Sequence, residues 1–141
     1  MADATIPYAL DAQVGYLLRL ASQRHSVLFQ IHVPDGITPT QFSALIRIAE
    51  AGAVSQNQLG RLAAMDVATI KGVVDRLRTK GLAKSHADPV DKRRMMIALT
   101  PQGIALIDAL KDAGTTITDA TLAPLSAEER NTFLELLKKL S

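Results

Sequence analysis

The chain has 141 residues, 48% of them hydrophobic and 21% charged, which suits one folded domain and argues against disorder. It contains no cysteine, so disulfides, thiolate nucleophiles, thiol redox sensing and cysteine-based zinc sites are excluded. The net charge of +2 is unevenly spread: Lys71 to Arg94 holds eight Lys/Arg against three Asp (net +5), and the other 117 residues hold eight against eleven Asp/Glu (net −3).

In chain order, the first segment, from Leu10 to near Val33, is helical by period. Leu10, Val14, Leu17, Ala21, Leu28 and Ile31 recur at alternating spacings of four and three, with one gap at Arg24. At roughly 1.5 Å per residue this helix reaches about 35 Å, more than a domain of this size covers, so a partner chain is expected over part of it. "PDG" then makes a turn. In "TPTQFSALIRIAEAG" Thr38 caps a second helix, with Pro39 in its first position, Gln41 closing a capping box, and Phe42, Leu45, Ile46 and Ala49 inward. Gly52 fits its stop.

Ser55 and Gln58 start a third helix with Leu59, Leu62 and Ala63 inward, and after a short break Asp66 caps a fourth with Ile70, Val73, Val74 and Leu77 inward, ended by Gly81. Two short helices joined so tightly form a helix-turn-helix pattern. The period then changes. "LAKSHA" and "RMMIALT" read as strands joined by "DPVDKR", which puts Lys92, Arg93 and Arg94 at a hairpin tip. Thr100 and Pro101 open a helix to about Thr121 carrying Ile104, Ile107, Leu110 and Ile117, with a bend or close helix crossing expected at Gly114. Ser126 and Glu129 form a capping box for the last helix, whose inward residues are Phe133, Leu134, Leu137 and Leu140. The fold class expected is mainly α with a small β-hairpin wing: a winged helix-turn-helix over 38–100, flanked by long helices over 8–33 and 101–141.

Local basicity on such a scaffold points to one anionic partner, and a helix fits the major groove of double-stranded DNA. Low aromatic content disfavours single-strand stacking platforms. The residues of the fourth helix expected to face the bases are Val67, Ala68, Thr69, Lys71 and Gly72, with Asp75 and Arg76 a turn further. Thr69 offers a hydroxyl, Lys71 reaches a guanine or a phosphate, and Val67 and Ala68 suit thymine methyls. Bidentate readers are scarce, so DNA shape is expected to supplement direct readout. Ser55 and Gln56, at the start of the third helix, join the DNA-facing set. In the wing, Arg93 or Arg94 is expected in the minor groove, Asp91 has the reach to fix Arg93, and Lys84 and Lys92 suit phosphates. A plain salt bridge of Arg93 to Asp75 or Asp91, and mere solvation of Lys92 and Arg94, are the competing readings.

"LGRLAAMDVATIKGVVDRLRTKGLAKSHADPVDKRRMMIALTPQG", Leu59 to Gly103, resembles the multiple antibiotic resistance regulator (MarR) family of bacterial repressors. "VVDRL…KGL" and the wing pattern Asp91-x-Arg93-x-x-x-Ile97-x-Leu99-Thr100, before Pro101 and Gly103, carry the likeness, which spans nearly the whole chain. The resemblance implies that the terminal helices interlock into a homodimer, that Arg93 enters the minor groove with Asp91 as its support, and that a small molecule, often phenolic or aromatic, relieves DNA binding. Gly72 stands where many relatives have arginine and Lys71 where many have threonine, so no base contact is carried over to those two positions. Relatives that sense peroxide through cysteine are excluded as models. "LDAQVGYLLRLASQRHSVLF" and "TPTQFSAL…SQNQLGRLAAMD" are similar to regulators of aromatic-acid catabolism in proteobacteria.

Arg24 interrupts the apolar stripe of the first helix. A buried cation needs an anionic partner or hydrogen bonds. An aromatic carboxylate or an aryl-CoA thioester supplies one, with Arg19 and His25 adding donors; a carboxylate of the partner subunit is the alternative. The expectation is a cytoplasmic homodimeric regulator, released from a pseudo-palindromic operator by a small aromatic effector. It includes no enzymatic activity, cofactor, metal or membrane contact. An effector-independent winged-helix module that binds DNA or protein is the other reading.

Overall fold

A computed structural model describes residues 6–141. Helices α1 (Val14–His32), α2 (Pro39–Ala51), α3 (Gln56–Leu62), α4 (Val67–Thr79), α5 (Pro101–Thr121) and α6 (Ala127–Lys139) account for most of the chain. Strands β1 (Ala53–Ser55), β2 (Ala83–Ala87) and β3 (Met95–Leu99) form one antiparallel sheet in the order β1-β3-β2. Contacts divide the chain into two compact units, the N-terminal segment up to His32 with Thr116–Ser141, and Val33–Thr115. Most of α5 belongs with Val33–Thr115, because Ile107 and Leu110 lie in that unit's core.

Within Val33–Thr115 the local signals work as chemistry requires. Thr38 and Gln41 exchange both bonds of a capping box, and Gly52 ends α2 at φ +79°. Ser55 Oγ accepts the Gln58 N–H, but the Gln58 side chain accepts from Arg61 instead of closing the second box. Asp66 caps α4 through the Thr69 N–H at 2.7 Å. The tight turn between α3 and α4 holds Ala64 at φ +55°, a left-handed conformation costly for a residue with a Cβ.

Ile70, Val73, Val74 and Leu77 are buried together with Leu45, Ile48, Leu59, Ile97 and Leu110. Ala44 and Ile48 are the buried partners of Leu45 on α2, while Phe42, Ile46 and Ala49 are only half-buried. Leu62, expected inward, and Ile104, expected in the apolar pattern of α5, are exposed, with no described residue covering them. α5 runs without a break, and its Gly114 is a close crossing: a Cβ there would stand 3.0 Å from the Phe42 ring. Gly103 is tighter still, since a Cβ would fall 2.2 Å from the Leu82 carbonyl oxygen.

The other unit is built differently. α1 begins at Val14, after a 3-10 turn over Leu10–Ala12 and an extended Gln13, so at ~1.5 Å per residue it spans about 28 Å, not 35 Å. Its expected stripe is real as a pattern but uncovered: Leu10, Val14, Leu17 and Ile31 are exposed, and Phe29 is the buried residue of α1. On α6 no described residue is buried; Phe133 and Leu140 are exposed, and Leu134 and Leu137 are half-buried. Among the described residues no helix is long and apolar enough to cross a membrane.

Candidate nucleic-acid interface

The hairpin tip is a built structure. The Asp88 N–H donates to the Arg94 carbonyl, and the Arg94 N–H donates to the Asp91 carbonyl, each at 2.9 Å. Asp88 Oδ1 accepts the Val90 N–H, also at 2.9 Å. Asp91 Oδ1 accepts from the Arg93 N–H at 3.1 Å and from Arg93 Nε at 3.2 Å. The hydrogen bond from the guanidinium, reinforced by that from the Arg93 backbone, holds the Asp91 carboxyl below its ordinary value. Arg93 is thus aimed by Asp91 while its side chain remains 91% exposed. No bond reaches from Arg93 to Asp75. Arg94 lies 3.8 Å from Asp88. Lys92 is exposed and makes no ion pair among the described residues.

Ser55, Gln56, Arg93 and Arg94 line one cleft, together with Asn57, Arg61 and Met95. Four expected contact residues from two distant stretches thereby meet, because β1 pairs with β3 and delivers the N-terminus of α3 beside the hairpin. β1 itself was not expected, since three residues between Gly52 and a helix cap carry no readable alternation. Asn57 and Arg61 were missed for a related reason. Only the pairing of β1 brings their exposed side of α3 next to the wing.

The outer face of α4 carries Val67, Ala68, Thr69, Lys71 and Arg76, all exposed. The Thr69 N–H, then its side-chain hydroxyl, and more weakly the Ala68 N–H hold the Asp66 carboxyl below its ordinary value, which fixes the start of the helix. Lys71 Nζ bonds Asp75 Oδ2 at 3.0 Å, a solvent-exposed pair that a phosphate can replace at little cost. Gly72 leaves room for its neighbour: a Cβ there would stand 3.5 Å from an Arg76 guanidinium nitrogen. Lys84 sits apart from the wing tip, in a second cleft between α4 and β2 that also holds Asp75, Arg78, Thr79, Ala83 and Ser85.

The three residues expected at an effector lie in the terminal-helix unit but do not converge. The Arg19 guanidinium stacks on the Tyr16 ring at 5.4 Å. Arg24 is exposed, not buried, and donates to the Ala120 carbonyl at 2.7 Å, satisfying the last turn of α5 where a cation is favoured. The premise of a desolvated cation therefore fails within one chain. His25 Nδ1 and Thr121 Oγ1 share a hydrogen bond of 2.9 Å. Those two residues give polar groups to an apolar cleft of about 330 Å³ walled by Leu18, Leu122, Phe133 and Leu137.

Residues 37–95 match the pattern described as MarR family. Over 135 residues the chain is 39% identical to the HTH-type transcriptional repressor NicR of Pseudomonas putida, covering 95% of this chain and 85% of that one. The crystal structure of a probable transcriptional regulator from Pseudomonas aeruginosa is similar at a TM-score of 0.91 and 49% identity, over 94% of this chain and all of that one. A structure of Bordetella bronchiseptica BpsR, described as the mechanism for regulation of its DNA binding by 6-hydroxynicotinic acid, is similar at a TM-score of 0.88 and 38% identity, over 95% and 96% of the two chains.

Proposed function

The chain belongs to the MarR family of transcriptional regulators, and on that premise we propose that it is a homodimeric repressor released from its operator by a small aromatic acid or its aryl-CoA thioester. The observation that carries the DNA part is the wing tip, where a carboxylate aims an otherwise solvent-exposed Arg93 beside the cleft formed with Ser55 and Gln56. Such a guanidinium suits a narrow minor groove, where negative potential is concentrated. Val67, Ala68, Thr69, Lys71 and Arg76 read the adjoining major groove. Lys84, Lys92 and Arg94 neutralise phosphates, which set register and salt dependence.

Dimerisation is supported by the apolar faces of α1 and α6, whose Leu17, Val14, Ile31, Phe133 and Leu136 are exposed among the described residues. Two-fold symmetry then calls for a pseudo-palindromic operator with half-sites about 10 base pairs apart. The effector class is supported by the relation to BpsR. The His25 cleft adds support, because apolar walls with one polar pair suit an aromatic ring bearing a polar group. Arg19 and Arg24, on the same helix as His25 but outside the lining of the cleft, are the nearest candidates in sequence for pairing with its carboxylate. Effector binding lowers operator affinity only through different affinity for the two dimer arrangements.

The deciding experiment is a gel-shift titration of the chain on the DNA upstream of its own gene against random duplex, repeated with aromatic acids and their CoA esters. Preference for the upstream DNA, relieved by one of these compounds, is expected. Equal binding to both duplexes removes the proposal. Arg24→Ala is expected to weaken ligand-induced release more than DNA binding, and equal loss of both assigns Arg24 to the subunit contact.

A further inference from the structure

The wing sheet has a basic cleft along each of its two edges. The strand order β1-β3-β2 makes β1 and β2 the edge strands, with the hairpin tip projecting from the β2–β3 pair. The cleft at the β1 edge holds Arg61 with Ser55, Asn57 and Arg94. The cleft at the β2 edge holds Arg78 with Thr79, Lys84 and Ser85. Each therefore combines cations with hydroxyl or amide groups, the donor set a phosphodiester accepts.

The carboxylates nearby are already engaged: Asp75 by Lys71 at 3.0 Å, and Asp88 by Arg94 at 3.8 Å. Arg61 gives a single side-chain bond, to Gln58 at 2.6 Å, and Arg78 makes no ion pair among the described residues. Three strands at about 4.8 Å spacing set the two edges about 10 Å apart. A minor groove about 6 Å wide, with a phosphate on each lip, has a similar span.

We propose that the wing is straddled by the duplex, with one phosphodiester strand of the minor groove held at each edge of the sheet, by Arg61 on the β1 side and by Arg78 on the β2 side. This rests on the DNA-binding reading and extends it to residues outside the recognition helix face and the hairpin tip. The two grips fix how deeply the tip enters, so Arg93 is positioned from both sides instead of being tethered at one.

The test is ethylation interference on the DNA upstream of the gene, with the full-length wild-type chain and the variants Arg61→Gln and Arg78→Gln. Glutamine keeps most of the exposed stem, and circular dichroism verifies folding. Each variant is expected to lose about ten-fold in affinity near 0.1 M salt. The phosphates that cease to interfere are expected on opposite strands, across one minor groove, repeated by the dimer symmetry. Loss on the same strand, or an Arg78→Gln pattern identical to wild type, overturns the straddled wing. A wild-type chain that shows no interference anywhere instead removes the DNA-binding reading beneath it.

Discussion

Replacing Arg93 by alanine separates groove recognition from simple charge. The side chain is 91% exposed and bonds only to Asp91 of its own loop, so its removal is expected to leave the melting temperature unchanged. The proposed symmetric dimer would lose two such groups on one operator. With one phosphate equivalent each, the slope of log K against log salt falls by about 1.8 in magnitude. If each guanidinium also contributes about 1–2 kcal/mol of discrimination, the operator-to-random affinity ratio falls roughly 30- to 1,000-fold, on top of a salt-dependent loss that both duplexes share. Fluorescence anisotropy with both duplexes over a salt series reads both quantities. Arg93→Lys is expected to restore the slope but not the preference, because a lysine cannot reproduce the paired geometry with Asp91. An Arg93→Ala chain that keeps its operator-to-random ratio while losing the slope refutes the minor-groove role, and one that keeps both places Arg93 outside the interface.

The Asp91 carboxyl lies below its ordinary value, so the stability its pair adds to the wing is complete above about pH 4 and is lost as pH falls through the lowered value. The Arg93 Nε–H signal in an NMR titration is accordingly expected to be constant from about pH 8 to pH 6, with Asp91→Asn weakening operator binding equally across that range. Ala64→Gly relieves a left-handed residue at φ +55° and is expected to raise the urea midpoint by up to about 1 kcal/mol in equivalent stability. Gly103→Ala pushes a Cβ to 2.2 Å from the Leu82 carbonyl, and a loss of about 3 kcal/mol in urea unfolding is expected. Leu17→Glu with Leu136→Lys is expected to sediment as a monomer and to lose operator affinity, and the wild-type melting temperature is expected to rise with protein concentration.

What could be read from the sequence follows the range of the interaction involved. Thr38, Asp66 and Ser126 cap their helices as expected because a cap is settled within four residues. The α4 stripe was correct because its cover, α2 and the sheet, lies in the same chain. Ile104 and Leu62 show the weakness of the same reasoning: period identifies an apolar face, but burial depends on a neighbour that period does not supply. The Asp91–Arg93 pair was legible because it spans two residues. The meeting of Ser55 and Gln56 with Arg93 was not, since it depends on the pairing of β1 with β3. Arg24 went astray for a third reason. A gap in a stripe reads as a buried charge, whereas the helix rotates that position to solvent and the guanidinium meets the end of α5.

The composition of α4 bears on how this regulator distinguishes its operator. Val67, Ala68 and Gly72 carry no hydrogen-bonding side-chain groups, Lys71 is occupied by Asp75, and the Arg76 guanidinium lies close to Gly72. Thr69 is then the one uncharged polar side chain of the first two turns on offer to a groove, and its hydroxyl as well as its N–H is engaged by the Asp66 cap. A bidentate contact from Arg76 requires it to swing away from the helix, at the cost of ordering a long side chain. Small residues favour close approach and thymine methyls, but they discriminate weakly among base pairs. Most of the preference must therefore come from groove width and deformability, which a rigid wing senses and a mobile one does not. The backbone and side-chain bonds that fasten Asp88, Asp91, Arg93 and Arg94 supply that rigidity where the recognition helix supplies least.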